Sequence, residues 1–171
     1  LAYVPQFSQQ RERYGSYCEF SDKETATTDA VDKKAERNRI DTVQPGYGQY
    51  ENDPLHNMTE HGEGSVGTTQ GGTNRYAKAG GSFSYTMEVD PEGTALLVTF
   101  KAADAGKGIE ILAGGESIFK AVLEETEGEY YDVLIPLPKE VLQKVYGRFY
   151  NCRDRKVLDF VFQGIDGAES A

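Results

Sequence analysis

Two histidines and a carboxylate lie close together in His56-Asn57-Met58-Thr59-Glu60-His61. Zinc hydrolases set two histidine ligands four residues apart on one helical face, with a Glu beside them as base. Here the spacing is one residue too long, and Gly62 and Gly64 follow at once. Polar loop residues bonding nearby backbone are the simpler reading. Gly62-Glu63-Gly64-Ser65-Val66-Gly67 spells G-x-G-x-x-G. A dinucleotide site needs a strand before that motif and a helix after it, so that the pyrophosphate meets a helix N-terminus. Thr68-Thr69-Gln70-Gly71-Gly72 is a poor helix start, and Glu63 would set a carboxylate beside the phosphates.

The carboxylates Glu51, Asp53, Glu60, Glu63, Glu88 and Asp90 are numerous enough for acid–base work. Glycoside hydrolysis needs two of them flanking one bond at about 5–9.5 Å, whereas an acidic surface needs only water. No Ser-His-Asp or Cys-His grouping is present, and Cys18 has neither a neighbouring His nor a clear helix start to lower its pKa. Tyr47, Tyr50 and Tyr76 lie in the loop-rich half. Loop aromatics stack on sugar rings through a large apolar face with a polar rim, or else staple loops onto the core. With His56 they form the candidate ligand-binding set; no catalytic residue and no metal ligand is assigned. Asn57-Met58-Thr59 matches a glycosylation sequon, relevant only in a eukaryotic secretory route.

Composition narrows the partners. The 171 residues carry a formal net charge of −10, and the pI is about 4.7. Nucleic-acid binding rests on Lys and Arg neutralising phosphates, and anionic membrane surfaces ask for the same basic excess. Neither partner is expected, and no apolar run approaches the roughly 20 residues of a membrane helix. Neutral glycans remain. Cys18 and Cys152 make either one long-range disulfide or two free thiols.

The elements that must position these residues read as mostly β. Tyr14 to Phe20 alternates like a lone strand, Ser21 opens a capping-box spacing with Glu24, and Asp29 to Arg39 is a charged helix or linker. From 41 to 82 the chain is turn-rich, with a strong turn at Gln44-Pro45-Gly46-Tyr47-Gly48. Seven of the twenty residues from Gly62 to Gly81 are glycine, which predicts irregular chain with short strand pieces. From Ser82 the period becomes two. Strands are predicted over 83–89, 95–100, 109–113, 118–123, 130–135 and 157–162, with turns at Asp90-Pro91-Glu92-Gly93, Asp104 to Gly108 and Gly114-Gly115. One short helix is predicted from Pro138 to Tyr146. Short strands at this spacing give an all-β sandwich or barrel. Phe83, Tyr85, Met87, Val89, Leu96, Val98, Phe100, Ile109, Ile111, Val133, Ile135, Phe160 and Phe162 are the expected core.

Several of these residues fall in a known order. Arg39-Ile40-Asp41-Thr42-Val43-Gln44-Pro45-Gly46, then Glu51, His56-Asn57-Met58 and Glu63-Gly64-Ser65, and then Arg75-Tyr76-Ala77-Lys78-Ala79-Gly80-Gly81-Ser82-Phe83-Ser84-Tyr85 resemble the C-terminal β-sandwich of glycoside hydrolase family 127-like proteins, the β-L-arabinofuranosidase-like proteins common in gut Bacteroidetes. Val4-Pro5-Gln6-Phe7 with Arg13-Tyr14 and Tyr17 resembles the segment before it. Tyr47 and Gly48 depart from the Glu-Gln usual there, and Gln9 or Gln10 stands where the family often has His. The last family strand has no counterpart after Gly167-Ala168-Glu169-Ser170.

The resemblance implies a galactose-binding-like jelly roll over 41–171, with residues 1–40 as a strand and charged helical linker closing a preceding domain. It implies an excised C-terminal fragment of a secreted or periplasmic bacterial enzyme. That family's catalytic cysteine and metal ligands lie in an upstream helical barrel, so no enzyme activity is expected of this chain, and Cys18 and Cys152 match none of them. The expected role is an accessory module that packs on the catalytic domain of its own parent chain or dimerises it, and binds plant or host glycan in one variant. No cofactor is expected; the acidic loops offer the hard oxygen ligands that a structural calcium takes. The alternatives are a self-contained hydrolase built on His56, His61 and carboxylates, and a purely structural interaction domain.

Overall fold

The computed structural model describes residues 38–69 and 72–167. From residue 40 onward they belong to a compact unit, Ile40–Ala171; the unit before it, Leu1–Arg39, lies outside the described residues but for 38 and 39, as do the strand expected at Tyr14 and the capped helix expected at Ser21. In chain order the strands are β1 (Thr59–His61), β2 (Gly64–Thr69), β3 (Gly72–Ala77), β4 (Ser82–Glu88), β5 (Ala95–Lys101), β6 (Gly108–Ala113), β7 (Glu116–Val122), β8 (Tyr130–Pro136), β9 (Tyr146–Tyr150) and β10 (Arg153–Ile165). Two one-turn helices join them, α1 (Gly48–Glu51) and α2 (Lys139–Leu142).

The fold is an all-β sandwich. One layer is a six-stranded antiparallel sheet in the order β1-β4-β10-β6-β7, with β9 pairing the first part of β10. The other layer is the antiparallel pair β5–β8. Period-two patterning explains the layering. On β4 and β10 the residues Tyr85 and Phe160 sit opposite each other, as do Phe83 and Phe162, and all four are buried. The next positions over, Ser84, Thr86, Asp159 and Gln163, turn to the other face. Between β4 and β9 the chain crosses from one layer to the other four times, as a jelly roll does. Leu96, Phe100 and Ile135 from the β5–β8 layer join Phe83, Tyr85, Ile111, Ala113 and Phe160 in one core. Phe83 and Phe162 stack at 5.2 Å, with Tyr85 edge-on to both. Met87, Val98, Ile109 and Val133 are half-buried and pack against this core rather than within it.

Three elements differ from the sequence reading. The predicted helix over 138–146 stops at Leu142, because only Val141 and Leu142 find burial; Tyr146 opens β9, where aromatic residues suit an extended backbone. Strand β10 runs from 153 rather than 157. Arg153 to Lys156 carry four charges in a row, which hides any alternation, and they become strand by pairing with β9. Inside the glycine-rich stretch, β2 and β3 form a regular hairpin rather than irregular chain. G-x-G-x-x-G therefore runs into a strand, not a helix.

The turn at Gly114-Gly115 has both φ angles positive, 57° and 84°, as two-residue hairpins require. The β9–β10 hairpin turns at Asn151-Cys152 in the same way, at φ 49° and 60°, with Cys152 in a place that favours glycine. Cys152 is exposed with a free thiol; Cys18 lies outside the described residues. Gly164 is needed for another reason. There β10 passes against the chain at Ala79, with Gly80 N–H donating to the Gly164 carbonyl. A Cβ on Gly164 would land on the backbone oxygens of Ala77 and Lys78. Gly164→Ala is expected to cost at least about 2 kcal/mol, the scale of an overpacked core, measured by urea denaturation. An unchanged midpoint would show that this crossing gives way freely.

Candidate functional site

The chemistry-bearing residues converge where a strap, residues 41–58, closes the open side of the sheet. Strand β1 pairs only with Ser82 to Ser84 of β4. The amides beyond are met by the strap: Thr86 N–H donates to the His56 carbonyl at 2.7 Å, and Glu88 N–H to Asp41 Oδ2 at 2.8 Å. An uncovered β4 edge would be a template for pairing with other chains.

Beneath the strap lies a buried charge. Glu51, at the end of α1, is 1% exposed. Arg75 of β3 reaches it with a two-pronged contact, Nε to Oε1 at 2.8 Å and Nη2 to Oε2 at 2.9 Å. Tyr85 Oη donates to Oε1 at 2.6 Å, and so does the Gly46 amide at 2.6 Å. The Gly46 amide is presented by the turn that Gln44-Pro45-Gly46-Tyr47 makes. Arg75 also meets Glu60 at 3.0 Å and lies over the Phe83 ring. Burial pushes the Glu51 carboxyl up; the hydrogen bonds from Arg75, Tyr85 and Gly46 outweigh it and hold the carboxyl below its usual range. The same contact with Glu51 raises Arg75, and burial followed by Glu51 raises Tyr85. Glu51 is thus an ionised carboxylate held by four donors, suited to tying α1, β3 and β4 together and not to passing protons.

A second cluster fastens the strap. His56, 5% exposed, sits between two carboxylates: Nε2 lies 3.1 Å from Asp41 Oδ1, and Nδ1 lies 2.9 Å from Asp53 Oδ2. Carboxylates only accept, so the doubly protonated ring satisfies both sides. Burial raises Asp41, but hydrogen bonds from His56, the Glu88 amide and the Thr42 amide outweigh it and leave it lowered. Arg148 of β9 donates to the carbonyls of Pro54 and Leu55, pinning the strap from the other strand.

The candidate set divides accordingly. His56 is a buried part of the clasp. Tyr47 and Tyr76 are exposed, at the start of α1 and on β3. The Tyr50 side chain lies outside the described residues. His61 is exposed on β1 and faces Ser82 across the ladder, apart from the Asp41–His56–Asp53 cluster. Among the described residues no group of three or more His, Cys, Asp and Glu is arranged to hold a metal ion. Glu51, Asp41 and Asp53 spend their oxygens on protein donors. The sequence reading did not single out Arg75 or Asp41 for a site, and it placed Tyr85 only in the core. Yet Asp41, Glu51, His56, Arg75 and Tyr85 all stand in the motifs that carry the resemblance.

Fold and lock together define an all-β sandwich domain whose buried ionic residues close the sheet's open side. The chain belongs to a family of unknown function, DUF6805, whose model matches residues 34–152. That match runs from before the strap to the β9–β10 turn. A search of the curated proteins found none that matches.

Proposed function

We propose that this domain is a non-catalytic accessory module of a secreted or periplasmic carbohydrate-active enzyme, and that it docks on the catalytic domain of its parent chain. The observation that carries this reading is the outward face of the β5–β8 pair. Leu97 and Leu134 stand directly opposite each other there and are 58% and 63% exposed. The exposed pair Ala95 and Pro136 extends the apolar strip toward one end. Covering two leucines stabilises an interface by about 3–6 kcal/mol before the cost of association. The candidate groups Glu51, Asp53 and His56 support the same reading, because they are spent on the lock. The resemblance to family 127-like proteins supplies the class of the partner.

The test begins with an immunoblot of source cells. The reading expects a band much larger than 18.9 kDa. In that parent protein, Leu97→Asp with Leu134→Asp is expected to let limited proteolysis release the module while its own melt stays unchanged. A parent equally resistant with both aspartates would refute docking through this face. A native band at the size of this chain would refute the module reading itself.

A further inference from the structure

The outer face of the six-stranded sheet carries a row of polar side chains in strict register: His61 on β1 opposite Ser82 on β4, Ser82 opposite Gln163 on β10, Gln163 opposite Glu110 on β6, and Glu110 opposite Lys120 on β7. Ser82, Gln163 and Glu110 point away from the core, because each alternates with an inward residue, Phe83, Phe162 or Ile111, and His61 and Lys120 are exposed at the two ends of the row. At about 4.8 Å per strand the row spans about 19 Å. Beside it lies an open cleft of about 450 Å³, lined by residues 79–82 and 163–166 and rimmed by Ser82, Gln163 and Asp166.

This row differs from its neighbours on the same face. In the next row Thr59 and Ser84 bond each other at 2.5 Å, and in the row beyond Thr86 bonds Asp159 at 2.6 Å. Those rows satisfy themselves. In the row at the cleft, Gln163 Nε2 donates to Glu110 Oε2 at 2.7 Å. That contact fixes a planar amide beside a planar carboxylate and leaves the Gln163 carbonyl oxygen open. Among the described residues His61, Ser82 and Lys120 make no side-chain hydrogen bond. The row therefore offers fixed planar donors and acceptors, with an imidazole at one end and an ammonium at the other.

We propose that this row and the adjoining cleft bind a neutral oligosaccharide lying across the strands. A polyol supplies hydroxyls that donate and accept at once, which matches alternating amide, carboxylate, hydroxyl and imidazole groups. A protein partner would ask for an apolar centre, which the row lacks. A polyanion would meet Glu110, Asp166 and a chain of net charge −10. The proposal concerns the layer opposite to Leu97 and Leu134, so it and the docking reading can fail separately.

The test is native gel electrophoresis of this chain through gels containing β-glucan, xylan, arabinan or galactomannan, with polygalacturonate as the anionic probe. Retardation by at least one neutral polymer is expected. Gln163→Ala and His61→Ala should each weaken it about tenfold, the worth of a lost hydrogen bond in a site, while Tyr47→Ala and Tyr76→Ala leave it unchanged. If Gln163→Ala melts early, the surface variants His61→Ala and Lys120→Ala decide. Passage unretarded through every neutral gel, retardation by polygalacturonate alone, or loss of binding only in the tyrosine variants would each overturn the proposal. The docking reading would still stand on its own proteolysis result.

Discussion

Arg75→Met is expected to destabilise the domain by about 3–5 kcal/mol, the cost of leaving a buried charge without its partner. Methionine keeps much of the side-chain volume, so the loss is mainly electrostatic. Glu51 would remain 1% exposed with only the Tyr85 hydroxyl and the Gly46 amide to hold it. Urea denaturation should show a lower midpoint with an unchanged slope. Replacing both partners, Glu51→Leu with Arg75→Met, should recover much of the loss, because an apolar pair no longer strands a charge. A single variant as stable as the parent would mean that water reaches Glu51 and that the lock is not closed.

The pH dependence of the same lock has a definite sign. The folded Glu51 carboxyl lies below its unfolded value of about 4.3. Its contribution is therefore complete above that value and is lost as pH falls through the folded one. Asp41 acts in the same direction through His56 and the Glu88 amide. Acidification below about pH 4 should destabilise the parent domain, and Glu51→Gln, already weaker at neutral pH, should lose less over that range. Equal slopes for the two proteins would remove Glu51 from the account.

Phe160→Ala is the second large effect, at about 3–5 kcal/mol. Phe160 is 1% exposed at the centre of β10, opposite Tyr85 on one side and Ala113 on the other. Strand β10 is held between β4 and β6, so the backbone there has little room to collapse into the space that the ring vacates. The expected result is a lower urea midpoint and a lower Tm. A loss below about 1 kcal/mol would mean that Tyr85, Leu96 and their neighbours repack to fill the cavity.

The strands from Ser82 onward were legible because a half-buried strand must alternate, and Phe83 to Val89 does so without interruption. The turn at Gly114-Gly115 was legible because a left-handed backbone prefers glycine. The start of β10 was not, since four consecutive charges have no apolar face to alternate; only β9 alongside makes them a strand. The β9–β10 turn was missed because its second left-handed position carries Cys152 instead of glycine. The β2–β3 hairpin was hidden by glycines that give no side-chain period.

The site shows the same division more sharply. Local residue types and their period determined an acidic, all-β domain with two inward faces, because alternation and turn chemistry act over a few residues. They also marked His56 and the acidic groups around it as notable. What those residues do was decided by contacts across long stretches of chain. Glu51 meets Arg75 from 24 residues away and Tyr85 from 34, and Asp41 meets the Glu88 amide from 47. No sequence spacing records which carboxylate ends beneath a strap and which in water. Only the packed sandwich, by excluding water from Glu51 and leaving Leu97 and Leu134 uncovered, separates the residues that hold the fold from those left on its surface.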